Sequence, residues 1–172
     1  GYADALSVSP WAFATSSPVI LCNPQEGLSD SSLSFIRDNG FSKAIIVGGT
    51  SAVPGQAENQ LKGANIDSIQ RLSGSTRYET SAKIAEFELA AEIGFEADGI
   101  LFATGNNYPD ALSAGPLAGK GLSPLLLVDP GAEQASKFVE GHKNEISNAT
   151  IIGGYSAIPY EEEQVLLDAL AD

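Results

Sequence analysis

Residues 99–128 read GILFATGNNYPDALSAGPLAGKGLSPLLLV. Two short apolar runs, Gly99 to Ala103 and Pro124 to Val128, flank a segment from Asp110 to Ala118 that has helical character. The runs are too short for buried helices and fit strands enclosed on both sides. A strand, a helix and a second apolar strand predict a parallel pair joined by a crossover helix. Right-handed crossovers put the strand-to-helix turns along one sheet edge, where ligands of such sheets usually sit.

The same alternation extends outward. Downstream, Gly131 to His142 reads as a helix, Ala149 to Ile152 as a strand and Pro159 to Leu170 as a closing helix. Upstream, Ile66 to Leu72 reads as a strand and Thr76 to Ile93 as a helix, with Thr76 and Glu79 spaced as a capping box and Gly94 as its stop. Ile84, Phe87, Leu89 and Ala91 mark much of its buried face. Nearer the start, Asp4 to Thr15 is predicted helical with Asp4 as N-cap, and Pro18 to Cys22 is predicted to be a buried strand. A helix over Ser29 to Asp38, a strand over Lys43 to Val47 and a helix over Val53 to Leu61 follow. The expected class is α/β: three-layer units with a mainly parallel sheet flanked by helices, tandemly repeated.

The tandem character is written in the chain. Tyr2-Ala3-Asp4-Ala5-Leu6-Ser7-Val8-Ser9-Pro10 aligns with Tyr108-Pro109-Asp110-Ala111-Leu112-Ser113-Ala114-Gly115-Pro116, at an offset of 106 residues (Asp4 to Asp110) with six of nine positions identical. Ser17 to Leu21 keeps that offset against Ser123 to Leu127. Gly48-Gly49-Thr50-Ser51-Ala52-Val53-Pro54 aligns with Gly153-Gly154-Tyr155-Ser156-Ala157-Ile158-Pro159 one residue closer. Solenoid units recur every 20–50 residues or so, so this longer period marks whole modules. Arg71 to Asn107 has no counterpart ahead of Gly1. Residues 1–64 therefore read as the second part of one module and 65–172 as a complete one.

The balance of 22 acidic against 9 basic residues gives a formal charge of −13. That excludes sequence-independent nucleic-acid binding and docking on an anionic membrane surface. No apolar run approaches the length of a membrane-spanning helix, and no basic-then-apolar leader opens the chain. The single cysteine, Cys22, reads as a buried structural thiol, and the single histidine, His142, as an exposed surface residue. One of each leaves no nucleophile–base pair and no zinc-ligand set, and no cofactor is implied.

Assembled, these stretches resemble the cell-wall-binding repeat 2 family. Arg71 to Ser81 looks like the opening of such a module, and Phe102 to Ala118 like its central signature. Pro124-Leu125-Leu126-Leu127 resembles its "P-I-L-L" strand, and Ile151 to Ile158 its closing "GG-x-x-A-I" element. The resemblance implies an extracellular role at the Gram-positive wall surface. There, α/β modules assembled in threes hold an attached region by binding anionic polysaccharide or teichoic-acid-like polymers. Its Leu-rich motif carries over to Leu125, Leu126 and Leu127, and to Val19, Ile20 and Leu21 in the partial copy. The departures are Leu at 125 and Val-Ile-Leu in the first copy.

Arg71 and Arg77 bracket the Gly74-Ser75 turn ahead of a helix. Guanidinium groups grip phosphates and carboxylates in a bidentate fashion, and a helix start adds free N–H groups. A local groove of Arg71, Arg77 and Lys83 would let an acidic body hold an anionic polymer. The competing role for Arg77 is an ion pair with Glu79 or Asp110. Thr104-Gly105-Asn106-Asn107 offers amides to an anion or a sugar hydroxyl, or is simply a turn. The Leu-rich strands are equally explained as core. The functional expectation is non-covalent anchoring without catalysis, with neighbouring modules or a homo-oligomer as partners. The alternatives are a structural spacer and a phosphate-ester- or nucleotide-processing enzyme, which the absence of a phosphate-loop lysine disfavours.

Overall fold

The computed structural model describes residues 2–171. The chain enters through two short helices, α1 (Tyr2–Ser7) and α2 (Ser9–Thr15), followed by α3 (Asp30–Asp38), β1 (Lys43–Val47) and α4 (Gly55–Gly63). It continues with β2 (Ser68–Leu72), α5 (Arg77–Ala90), β3 (Gly99–Thr104) and α6 (Pro109–Gly121). The last part is β4 (Leu125–Val128), α7 (Glu133–His142), β5 (Asn148–Ile152) and α8 (Tyr160–Ala171). Every strand pairing is parallel: β1 with β2 in one sheet, and β3 between β4 and β5 in the other. The α/β class read from the sequence is the observed one.

Alternation along the apolar strands divides the larger unit into layers. Ile100, Phe102, Leu126 and Val128 face Ala85 of α5, Ala135, Phe138 and Val139 of α7, and Leu166 and Ala169 of α8. Leu101, Ala103, Leu125 and Leu127 face Ala3 and Leu6 of α1 and Ala111, Ala114 and Ala118 of α6. The second layer is therefore shared between the two copies of the repeat. Ile46 of β1 packs with Leu33 and Ile36 of α3 and Leu61 of α4. On the opposite side Leu72 meets Val8 and Ile84, with Trp11, Ile45, Val47 and Phe87 around them. Helix α5 thus serves both sheets, and β2 pairs with β1 in the smaller one.

Strand β4 lies at a sheet edge, so one row of its backbone groups lacks a strand partner. Ser81 of α5 supplies the partner. Its hydroxyl accepts from the Leu127 N–H at 2.8 Å and donates to the Leu125 carbonyl at 3.4 Å. Local caps follow the sequence closely elsewhere. The Thr76 hydroxyl accepts from the Glu79 N–H at 3.1 Å, while the Glu79 carboxylate reaches back to the Ser75 N–H at 2.7 Å.

Several expectations are corrected. Pro18 to Cys22 forms no strand, and Leu21 is 69% exposed. The matching segment at the 106-residue offset, β4, pairs with β3, whereas Val19 to Leu21 has no strand beside it among the described residues. The helix expected over Asp4 to Thr15 is two helices broken at Val8. Pro10 has no N–H for the Leu6 carbonyl, and the Ser9 hydroxyl takes that carbonyl at 2.6 Å. The corresponding Pro116 is accommodated within α6. Asp4 lies inside α1 and is buried rather than capping it. Asp110 likewise lies inside α6, whose N-cap position is Tyr108. Helix α5 ends at Ala90, short of Ile93. Cys22 is only half-buried. His142 is not free at the surface: it stacks on Phe138 with ring centres 4.5 Å apart, and its Nε2 lies 3.0 Å from Glu86.

Candidate functional site

Parallel strands bring their exits to one edge of each sheet. In the larger unit these exits are Gly105-Asn106-Asn107 after β3, Asp129-Pro130-Gly131 after β4, and Gly153-Gly154-Tyr155 after β5. The β3 turn is held from within. The Gly105 N–H donates to the Val128 carbonyl at 3.3 Å, and the Asn106 N–H donates to the Thr104 hydroxyl at 3.2 Å. The Tyr78 hydroxyl donates to the Asn106 side-chain carbonyl at 3.3 Å. The Tyr78 ring lies so close against Gly105 that a Cβ there has no room. The β5 turn needs glycine for a different reason. Gly153 has φ of +123°, and a Cβ would fall 2.9 Å from the Asp110 carboxylate and 3.1 Å from Ala157. Gly48 repeats the arrangement in the first copy, with φ of +107° and Asp4 in place of Asp110.

The basic residues are committed to similar structural work. Arg71 donates through Nη1 to the carbonyls of Gly48 at 2.9 Å and Val53 at 3.1 Å, and its Nη2 lies 3.7 Å from Glu58. Arg77 donates through Nη1 to the Gly105 carbonyl at 2.6 Å. Lys83 donates to the Ser73 carbonyl at 3.0 Å and pairs with Glu79 at the same distance. The three cations therefore attend three different backbone segments. Neither Glu79 nor Asp110 is the partner of Arg77. The Ser75 N–H, with Lys83 adding to it, holds Glu79 down to about 2.

The remaining site residues read from sequence divide by exposure. Asn106 and Asn107 are at the surface of the β3 exit. Leu125, Leu126 and Leu127 are each 1% exposed and form core on both faces of β4. A polymer has no access to them in this arrangement. Val19 and Leu21 are exposed and Ile20 is half-buried, beside Ser31, Ser32 and Phe35 of α3.

Two features escaped the sequence reading. Glu88 of α5 is fully buried, accepts from the Trp11 N–H at 3.2 Å through Oε1, and leaves Oε2 without a partner. Burial pushes its carboxyl up to about 9, against the pull of the Trp11 hydrogen bond. The second feature is the tyrosines. All five occupy helix entries or the turns before them: Tyr2, Tyr78, Tyr108, Tyr155 and Tyr160. For Tyr78, Tyr108, Tyr155 and Tyr160 the position shortly after a strand was the signal available in the sequence. Burial raises Tyr78 above the usual phenol range, and Asp129 and Glu162 add to the rise against Arg77.

Parallel α/β units whose strand-exit turns are braced by neighbouring helices define the class of fold to which the chain belongs. The sequence matches the family described as cell wall binding domain 2 over residues 1–58 and 71–163, and the chain belongs to that family. Membership places it outside the cell, at the wall of Gram-positive bacteria, as a wall-binding domain. Among its relatives is the N-acetylmuramoyl-L-alanine amidase LytC of Bacillus subtilis (strain 168), 31% identical over 157 residues. That match covers 91% of this chain and 30% of the relative. The amidase enhancer of the same organism is 31% identical over 168 residues, covering 97% of this chain and 22% of the relative. Among solved structures, Cwp6 from Clostridium difficile superposes with a TM-score of 0.83 at 24% identity, covering 98% of this chain and 26% of that one. Cwp8 from the same organism gives 0.76 at 24% identity, covering 98% and 28%. The chain spans less than a third of each of these proteins.

Proposed function

We propose that this chain is a non-catalytic anchor that holds an attached region on the wall by binding an anionic wall polysaccharide or teichoic-acid-like polymer. The observation that carries the reading is the family match over residues 1–58 and 71–163. The internal braces of the strand-exit turns support it, because they present a fixed surface without a catalytic arrangement. Cys22 lies beside the Ala52 carbonyl and His142 beside Glu86 and Phe138, so the two do not form a nucleophile–base pair. The test is co-sedimentation with purified Gram-positive sacculi, before and after acid removal of phosphate-linked secondary polymers. The chain is expected to pellet with intact sacculi and stay in solution with stripped ones. Equal pelleting with both would point to peptidoglycan itself.

A partner reading rests on the repeat. Leu6 is buried against the complete copy, and its equivalent at the 106-residue offset, Leu112, is 57% exposed. Trp11 packs against Phe87 and Phe95, and its equivalent Leu117 is 55% exposed. The face of α6 bearing Leu112 and Leu117 is where a further module of the same family would dock as α1 and α2 dock here. Residues 1–64 and 65–172 then act as successive members of a longer series. Replacing Leu112 and Leu117 together by Ser should reduce self-association measured by light scattering. A strict monomer for the unaltered chain at high concentration contradicts docking by a second copy.

A further inference from the structure

We propose that the exposed tyrosines at the strand exits form a stacking platform for the pyranose rings of the wall glycan, with Tyr108, Tyr155 and Tyr160 as its principal contacts. This rests on the wall-binding reading above and says which part of the polymer is gripped. The rings are set out for it: Tyr108 is 56%, Tyr155 66% and Tyr160 55% exposed. They are also held. Tyr155 and Tyr160 form an edge-to-face pair with centres 6.1 Å apart at 79°, and Tyr108 pairs in the same manner with Tyr2 at 5.8 Å and 75°. In an edge-to-face pair, only one face of one ring is covered, so other faces stay available to a ligand.

The two pairs belong to neighbouring exits of one sheet. Tyr108 follows β3 and Tyr155 follows β5, and these strands are hydrogen-bonded partners. The first turn of α6 lies directly against the β5 exit, where Asp110 abuts Gly153. A chain of sugars running along this edge meets one pair and then the other.

Charge at the same edge favours ring contact over anion contact. The cation reaching this turn, Arg77, already donates to the Gly105 carbonyl. The acids Asp129 and Glu162 are near enough to act on Tyr78, and Glu162 accepts from the Gly131 N–H at 3.3 Å. The C–H face of a pyranose carries no net charge and presents weakly positive hydrogens to the electron-rich ring face of tyrosine. Tyrosine loses little conformational freedom on binding, having only two side-chain torsions.

The test is binding of the full chain to purified Gram-positive sacculi carrying their secondary polymers. Tyr108→Ala, Tyr155→Ala and Tyr160→Ala are each expected to weaken binding about 5-fold, and the triple variant more. The corresponding Phe variants should stay close to the parent, because the ring face is retained. The losses should persist in about 1 M NaCl, where exposed charge contacts are screened. Thermal melts confirm that each variant is folded. If the parent binds and the triple Ala variant binds equally well, the stacking platform is overturned and the anchoring reading stands. If the parent itself does not bind, the anchoring reading falls and takes the platform with it. Loss of binding in the Phe variants as well would overturn stacking in favour of contacts made by the hydroxyls.

Discussion

Ser81 satisfies two backbone groups of an edge strand with one hydroxyl, and Glu88 satisfies one with a buried carboxyl. Both act across the interior, and both carry predictions. Ser81→Ala leaves the Leu127 N–H buried without a partner and should cost about 1–3 kcal/mol in chemical denaturation. Glu88 takes the place of a cap for α2, whose N-cap Val8 has no side chain able to accept. Its carboxyl moves from an ordinary value of 4.5 to about 9 on folding, so the folded chain keeps a proton that the unfolded chain has released. The contribution to stability is therefore full below the ordinary value and lost as pH rises toward 9, by about 1.4 kcal/mol per pH unit within that window. Glu88→Gln keeps the acceptor without the charge, and its melting temperature should fall less than that of the parent between neutral pH and 9. Parallel pH profiles would refute the role given to Glu88. The sequence placed Ile84, Phe87 and Ala91 on the buried face but passed over Glu88 in the same arc. Its partner Trp11 lies 77 residues away, so no local spacing reveals the pairing.

At the level of elements, close approach of α2 and α6 decides how the two copies meet. A Cβ on Gly119 would lie 2.6 Å from the Pro10 carbonyl oxygen and 2.8 Å from the Phe13 Cβ. Backbone cannot yield as a flexible side chain does, so Gly119→Ala should push the helices apart and destabilise the chain by about 1–3 kcal/mol. Thermal unfolding checks this, and an unchanged or raised midpoint contradicts it. The alternation of strands and helices was legible because each strand is an apolar run bounded by turn residues, and the helix starts at Ser29 and Thr76 announce themselves by their caps. Pro18 to Cys22 was misread for a non-local reason. Apolar composition gives a segment the means to be a strand, but a strand also needs a neighbour to pair with. The Leu125 to Leu127 run has β3 on one side and Ser81 on the other, while Val19 to Leu21 has neither.

For the molecule as a whole, acidity and anchoring have to coexist. Arg71, Arg77 and Lys83 looked from the sequence like a basic groove, because residue type and spacing do not reveal what a side chain already holds. Folded, they brace the Gly48, Gly105 and Ser73 carbonyls. The surface left at the strand exits is aromatic and amide-rich on a body of charge −13. Its location followed from the parallel topology, and its chemistry became visible only when the tyrosines were seen to pair. The central claim is that wall glycan contacts this edge. The most direct measurement is an amide-resolved NMR titration of the full chain with solubilised, sized wall polysaccharide. The account predicts progressive shifts at Gly105 to Tyr108 and Gly153 to Tyr155, with the α7–α8 groove of Glu140, Lys143 and Asp168 unmoved. Shifts concentrated in that groove, or along Val19 to Leu21, with the strand exits silent would contradict it.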